Sequence, residues 1–266
     1  HVLKHGEKIY ALVEGGVSPV IMDSEMNFLE EEPFPAADNK RFTAHPKIDS
    51  DTGEMHAVSY DFGEYVNGLG QVHYVTIDSH GKLIKDQIIE TPSRPMVHDC
   101  AITKNYVLIF DLPVTFNLGR RDDDNNPIGG DYPVVWNDKH TSRVGLQNKK
   151  TDEIIWIEVN PGFLFHIVNS YEDDNGQVIL DFCRYERLFD FDNPLPMGQK
   201  PFLTRWILDP KTKTCSEEML DDRPMEFSRV HPDFDGKQHR FGYLLTDGRL
   251  NNYFKHDFEK SETITH

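Results

Sequence analysis

Short apolar runs alternate with polar turns along the chain, a pattern that predicts β-strands joined in hairpins. Five hairpins are distinct, because in each an apolar strand, a polar turn and a second strand follow one another. Their turns lie at 24–27, 79–82, 148–152, 210–213 and 258–261. An Asp close to a turn fits this reading, since its side chain can bond the backbone two residues on. Helical periodicity is weak throughout, so we expect an all-β chain.

The spacing of the turns favours one repeated β unit. The turns begin roughly 50 to 70 residues apart, and a strand-built period of this size is typical of β-propeller blades. A β-sandwich with similar hairpins is the alternative. We expect a single propeller domain over residues 1–266. Because the chain opens at His1 without a Met and stops inside a strand pattern, we expect that domain to be incomplete at both ends.

Charge and cysteine content exclude several classes of protein. The chain has 28 Lys and Arg against 45 Asp and Glu, a net charge of −17. A surface this acidic argues against nucleic acid and against purely electrostatic docking on anionic lipid. Three cysteines without a CxxC pattern predict reduced thiols in a cytoplasmic protein, not a disulfide framework or zinc knuckle. No apolar run reaches the length of a transmembrane helix.

Three histidines lie in strand-like settings far apart in the sequence: His45, His98 and His166. A metal site inside a β-scaffold collects single ligands from different strands, and neutral imidazole is the commonest protein ligand. A single histidine among apolar neighbours is more often a hydrogen-bonded core residue than a metal ligand. With 13 histidines in this chain, some will lie in strand-like settings by chance. The residues alone therefore leave a joint metal site open.

Five segments, in order along the chain, resemble motifs of the carotenoid cleavage oxygenase family. They are Ala11-Leu12-Val13-Glu14, Phe42-Thr43-Ala44-His45-Pro46-Lys47, Met96-Val97-His98-Asp99-Cys100, Phe165-His166-Ile167-Val168-Asn169 and Met225-Glu226-Phe227. The resemblance implies a seven-bladed β-propeller with Fe(II) held on its axis by four histidines. The five hairpins would then correspond to about five of the seven blades.

The resemblance also implies roles for individual residues. His45, His98 and His166 would be iron ligands, while Glu14 would orient His98 and Glu226 would orient His166. The fourth family histidine and a third orienting glutamate are not found in this chain. We expect the fourth ligand to come from residues beyond its C-terminal end.

The reaction implied by the resemblance is insertion of both atoms of O2 across a carbon–carbon double bond, giving two carbonyl products. Such a reaction needs no side-chain nucleophile, and no nucleophile motif or phosphate loop is found. An apolar polyene would need an apolar tunnel, and candidate walls are Phe62, Tyr65, Phe116, Phe163 and Phe165. Peripheral contact with a membrane is implied as well, because members of this family draw substrate from membranes.

Alternative functions remain open. Members that cleave stilbenes tend to carry a lysine directly before the first orienting glutamate, and that position is Val13 here. This favours a carotenoid or apocarotenoid over a stilbene. An isomerohydrolase of the same fold and a non-enzymatic propeller that serves as a binding platform are the other readings. A propeller glycosidase is weaker, since no two carboxylates stand out as an acid/base pair.

Overall fold

The computed structural model describes residues 1–14, 18–31, 42–60, 69–116, 133–190, 199–246 and 252–266. Within these residues every regular element is a β-strand except one short 3-10 helix, Pro232–Phe234. The expectation of an all-β chain is thus confirmed. The chain forms two compact units, residues 1–100 and 101–266. The single domain expected over residues 1–266 remains a prediction.

The described residues of the first unit form two four-stranded sheets. Its strands are β1 (Val2–His5), β2 (Lys8–Ala11), β3 (Val20–Met22), β4 (Phe28–Glu31), β5 (Lys47–Ile48), β6 (Met55–Tyr60), β7 (Gly70–Ile77) and β8 (Leu83–Thr91). The orders are β1-β2-β3-β4 and β5-β6-β7-β8, with every pair antiparallel. Short hairpins suffice for such meanders, because antiparallel neighbours need no crossover.

Burial along the strands explains how this unit holds together. All six residues of β6 are buried, whereas β8 alternates between partly buried and exposed positions over most of its length. An inner strand is covered on both faces, while an edge strand keeps one face in solvent. The core cluster draws on both sheets and consists of Tyr10, Leu12, Ile21, Phe42, Met55, Ala57, Val75 and Ile77.

The described residues of the second unit form three sheets. The first has four strands in the order β14-β13-β10-β9, and the second pairs β11 with β12. The third has seven strands, β15 to β21, which follow one another in chain order. The strands of this unit are β9 (Ala101–Ile102), β10 (Tyr106–Asp111), β11 (Val114–Phe116), β12 (Val134–Trp136), β13 (Arg143–Asn148), β14 (Ile154–Glu158), β15 (Phe163–Glu172), β16 (Val178–Tyr185), β17 (Phe202–Asp209), β18 (Thr214–Arg229), β19 (Phe241–Thr246), β20 (Tyr253–Asp257) and β21 (Glu262–Thr265). The 16-residue β18 pairs with β17 through its first part and with β19 through its last.

All five predicted hairpins are confirmed as antiparallel pairs: β3–β4, β7–β8, β13–β14, β17–β18 and β20–β21. The expected role of the turn aspartates is also seen. Oδ1 of Asp78 accepts the backbone N–H groups of His80 and Lys82, each at 2.9 Å. Gly81 in the same turn has a φ of +86°, which a residue without Cβ adopts at no steric cost.

Two further features bear on the cysteines and on membrane-spanning segments. Cys100, Cys183 and Cys215 are free thiols, as predicted. Within the residues that the structure describes, no helix has the length and apolar character needed to cross a membrane.

Candidate metal centre

His45 and His98 lie side by side in the first unit. Their ring centroids are 4.6 Å apart and both residues are half-buried. His45 lies two residues before β5, and its backbone N–H donates to Oγ1 of Thr43 at 3.0 Å. The next residue is Pro46, which disfavours helical backbone at His45. The structure therefore brings together two of the three predicted ligands within one unit.

A carboxylate fixes the ring of His98. Oε2 of Glu14 lies 2.6 Å from Nδ1 of His98, and the Tyr60 hydroxyl donates to Oε1 of Glu14 at 2.6 Å. An imidazole whose Nδ1–H is held by a carboxylate presents Nε2 as its ligand atom and becomes a stronger donor to a metal. Glu14 and His98 are in contact, as the orienting role requires, while the role itself remains a prediction.

Lys47 and Asp99 form a buried ion pair beside these histidines. Nζ of Lys47 lies 3.0 Å from Oδ1 of Asp99, and the two side chains are 8% and 2% exposed. Burial alone would raise the pKa of Asp99, but the Lys47 ammonium, with a smaller contribution from His45, lowers this pKa below its ordinary value. Asp99 is therefore held as a carboxylate.

In the second unit a similar contact holds His166 on β15. Oε2 of Glu226 lies 2.5 Å from Nδ1 of His166, and Glu226 is only 3% exposed. The β15–β16 pairing is irregular between Leu164 and Ile167 and again between Ile167 and Asn169. Such irregularities re-aim side chains at the edges of functional sites. Here the first irregularity contains the predicted ligand His166, and the second begins at the next residue.

Phe227 belongs to one of the motif segments named above, but the sequence indicated no role for it. Its φ is 52°, an outlier for an aromatic residue, and such strain persists only where the surrounding structure imposes it. Its backbone N–H donates to Oε2 of Glu226, and its ring centroid lies 4.9 Å from that of His166. No sequence signal marks a Phe for this conformation, since glycine or asparagine is the residue expected there.

Asn169 anchors the same strand to the short 3-10 helix. Its Nδ2 donates to the carbonyls of Phe234 and Lys237, both at 2.8 Å, and its Oδ1 accepts the N–H of Gly236 at 3.0 Å. Asn169 is three residues beyond His166 and only 3% exposed. A fully bonded amide at this place limits movement of the strand that carries the predicted ligand.

The predicted tunnel walls are only partly described. Phe62 and Tyr65 lie outside the described residues. Phe116 and Phe163 are buried, which agrees equally with ordinary core packing. Phe165 is half-buried, and its ring contacts Phe163, Tyr185 and Phe189 at centroid distances of 5.1, 5.5 and 6.2 Å. The tunnel remains a prediction.

The donor set fits a first-row transition metal. Imidazole suits iron, zinc and copper, whereas magnesium and calcium prefer oxygen ligands. In each unit one histidine has its Nδ1 against a buried or half-buried carboxylate, the arrangement found around metal-bound histidines. The residues of both units therefore fit the iron that the resemblance implies.

Comparison with known proteins places the chain in a family. The family model described as retinal pigment epithelial membrane protein matches residues 1–266. The carotenoid cleavage oxygenase of Mycobacterium tuberculosis is 33% identical over 92% of this chain and 56% of its own length.

Many solved structures share the fold. The cobalt-substituted ACO of Synechocystis has a TM-score of 0.83 at 24% identity, covering all of this chain and 58% of its own. The lignostilbene dioxygenase of Pseudomonas brassicacearum has a TM-score of 0.82 at 25% identity, covering 99% of this chain and 59% of its own. This chain thus spans little more than half the length of these relatives. It is a member of the family that contains the retinal pigment epithelial membrane protein and the carotenoid cleavage oxygenases.

Proposed function

We propose that the full-length protein is a non-haem Fe(II) dioxygenase that cleaves a carbon–carbon double bond of a carotenoid or apocarotenoid with O2. The observation that carries this proposal is the pair of histidine–carboxylate contacts, Glu14 with His98 and Glu226 with His166, in a chain of this family. The products are two carbonyl compounds, and each receives one oxygen atom.

His45, His98 and His166 are the proposed iron ligands of this chain, and the rest of the full-length protein supplies the fourth. The bound iron would supply the activation of O2, which no amino-acid side chain provides. Imidazole alone does not select iron over zinc or copper, so the identity of the metal is itself part of the proposal.

The residues of this chain would hold and shield the ligands. Oε2 of Glu14 and Oε2 of Glu226 lie against Nδ1 of His98 and His166, which leaves Nε2 of each ring as the ligand atom and restrains its orientation. Tyr60 restrains Glu14 through its hydroxyl. The Phe227 ring lies against His166 and would keep water from that side of the imidazole.

The full-length fold is proposed to be one seven-bladed propeller domain, of which residues 1–266 form about five blades. Five antiparallel hairpins and the β-propeller fold of the structural neighbours support it. A cytoplasmic location and peripheral contact with a membrane, as the source of an apolar substrate, belong to the same proposal.

The position before Glu14 favours a polyene substrate. Val13 is 48% exposed and carries no charge or hydrogen-bonding group, so it offers nothing to a phenol oxygen. The lignostilbene dioxygenase among the solved relatives keeps stilbene cleavage as the second candidate.

The test uses full-length protein loaded with Fe(II) and incubated separately with an apocarotenoid and with a hydroxylated stilbene under ¹⁸O2. Carbonyl products are reduced at once with borohydride, so that exchange with water does not erase the label. The proposal predicts two shortened products from the apocarotenoid, both labelled.

Label in only one product would indicate monooxygenation, and a product with an unchanged carbon skeleton would indicate the isomerohydrolase. Cleavage of the stilbene alone would overturn the substrate class. A protein that takes up no Fe(II) and converts neither substrate would favour the binding platform.

A further inference from the structure

A buried ion pair joins the two histidine segments of the first unit. Lys47 follows His45 by two residues, and Asp99 follows His98 directly. Nζ of Lys47 lies 3.0 Å from Oδ1 and 3.3 Å from Oδ2 of Asp99. Fifty-two residues separate the two partners along the chain. The contact is therefore a tertiary connection between two segments that each carry a predicted ligand.

Cys100 makes a second connection between the same segments. Its backbone N–H donates to Oδ1 of Asp99 at 2.8 Å, so the carboxylate is tied to its own segment as well as to Lys47. The Cys100 thiol donates to the carbonyl of His45 at 3.7 Å. Asp99 and Cys100 thus contact the chain at His45 and two residues after it.

Stability does not explain this arrangement. Removing two charges from water costs free energy that their attraction often fails to return, so well-packed apolar residues frequently stabilise a protein as much or more. Buried pairs are better understood where they select one geometry among several. Here the pair lies beside two imidazole rings with centroids 4.6 Å apart, whose separation and orientation decide whether one metal ion can bind both.

We propose that Lys47 and Asp99 are positioning residues, which lock the segments of His45 and His98 in the single arrangement that allows both rings to ligate one metal ion. The inference rests on the proposed function in taking these histidines as ligands, and it adds residues that touch neither metal nor substrate. The ion pair adds no net charge beside the two rings, and the role proposed for it is to fix their geometry.

The test measures Co(II) binding to metal-free, full-length protein by competition with a chelator, together with the visible spectrum of the bound cobalt. The double variant Lys47→Met/Asp99→Asn removes both charges and leaves neither one buried alone. We expect Co(II) to bind about 10- to 100-fold more weakly, as when residues that support metal ligands are removed, and with an altered spectrum. Lys47→Arg leaves neither charge buried alone, so it should retain an affinity within about threefold and the wild-type spectrum.

A matched control separates positioning from general loss of stability. Arg143 and Asp111 form another ion pair, at 2.8 Å, in the second unit, where Asp111 is fully buried and the Arg143 side chain is 21% exposed. The variant Arg143→Met/Asp111→Asn should leave cobalt affinity unchanged.

Wild-type affinity and spectrum in Lys47→Met/Asp99→Asn would overturn the proposal, as would an equal loss in the control. If Lys47→Met/Asp99→Asn does not fold, the result for Lys47→Arg is the test. Loss of cobalt affinity in Lys47→Arg, although the ion pair is retained, would overturn the proposal. Failure of the wild-type protein to bind cobalt would instead overturn the metal centre itself.

Discussion

Oε2 of Glu226 lies 2.5 Å from Nδ1 of His166 and also accepts the backbone N–H of Phe227. A single oxygen of Glu226 thus links the orientation of the His166 ring to the backbone of Phe227 in β18. The ring of Phe227 returns to contact His166, which closes a small loop of interactions around this imidazole. Perturbing any member should therefore affect the other two.

Replacing Glu226 with Gln should weaken metal binding by about 10- to 100-fold, because an amide polarises the Nδ1–H of His166 less than a carboxylate does. Isothermal titration of metal-free protein with Co(II) measures the change. Glu217→Gln is the control, since Glu217 lies on the same strand and accepts the indole N–H of Trp206 at 2.6 Å. Equal affinities for Glu226→Gln and the wild-type protein would refute the orienting role.

Phe227→Gly should leave the metal-free protein equally stable or stabilise it by about 1 kcal/mol, because glycine adopts a φ of 52° without steric strain. Phe227→Val should lower the free energy of unfolding by about 1 to 3 kcal/mol, since a β-branched residue is especially strained there. Urea denaturation measures both.

Tyr243→Gly provides the comparison for the Phe227 variants. Tyr243 is an aromatic residue of similar exposure, 47% against 52%, in β19. Its replacement should destabilise the protein by roughly 1 kcal/mol, the usual cost of glycine inside a strand. Similar losses for both glycine variants would show that the positive φ at Phe227 carries no strain.

Tyr60→Phe should lower the free energy of unfolding by about 1.5 kcal/mol, because it removes a partly buried hydrogen bond to a charged group. It should also weaken cobalt binding severalfold, since Glu14 loses the partner that holds it against His98. Thermal unfolding and chelator competition measure the two effects. Tyr253→Phe, at a side chain 63% exposed, should change neither quantity. Unchanged metal affinity in Tyr60→Phe would separate Tyr60 from the proposed centre.

His239 should make the fold sensitive to acid. Burial, with smaller effects from the positive charges of Arg205 and His256, lowers its pKa from 6.5 to about 4. Nδ2 of Asn169 lies 3.1 Å from its Nδ1, and the nearby Asp181 is already paired with Arg205 at 2.7 Å. The folded protein therefore holds His239 neutral.

The unfolded chain protonates His239 near pH 6.5 and the folded protein only near pH 4. The stability that His239 contributes is thus fully present above pH 6.5 and is lost as the pH falls from 6.5 to about 4. The loss is on the order of 3 kcal/mol. Denaturation at a series of pH values should show a shallower decline over this window for His239→Gln than for the wild-type protein. Parallel declines would contradict the prediction.

The hairpins could be predicted because their signals are local. A turn aspartate such as Asp78 bonds the backbone within four residues, so the sequence around it is sufficient. The pairing of Glu14 with His98 and of Glu226 with His166 was expected only from the family resemblance, since 84 and 60 residues separate the partners. The contacts are present, and their role in metal binding awaits the experiments above.

The remaining features depend on tertiary structure. A lysine such as Lys47 is normally a solvated side chain, and its ion pair with Asp99 makes burial tolerable. The left-handed backbone of Phe227 is imposed by its neighbours and has no signature in the residue type. Neither feature follows a periodic pattern, so neither could be found by reading the chain alone.

The metal content of full-length purified protein, measured beside a His98→Ala variant, tests the central claim most directly. The account predicts near-stoichiometric iron in the wild-type protein and little or none in the variant, with both proteins folded. Absence of bound metal from the wild-type protein, even after anaerobic addition of Fe(II), would contradict it, as would equal iron in the two proteins.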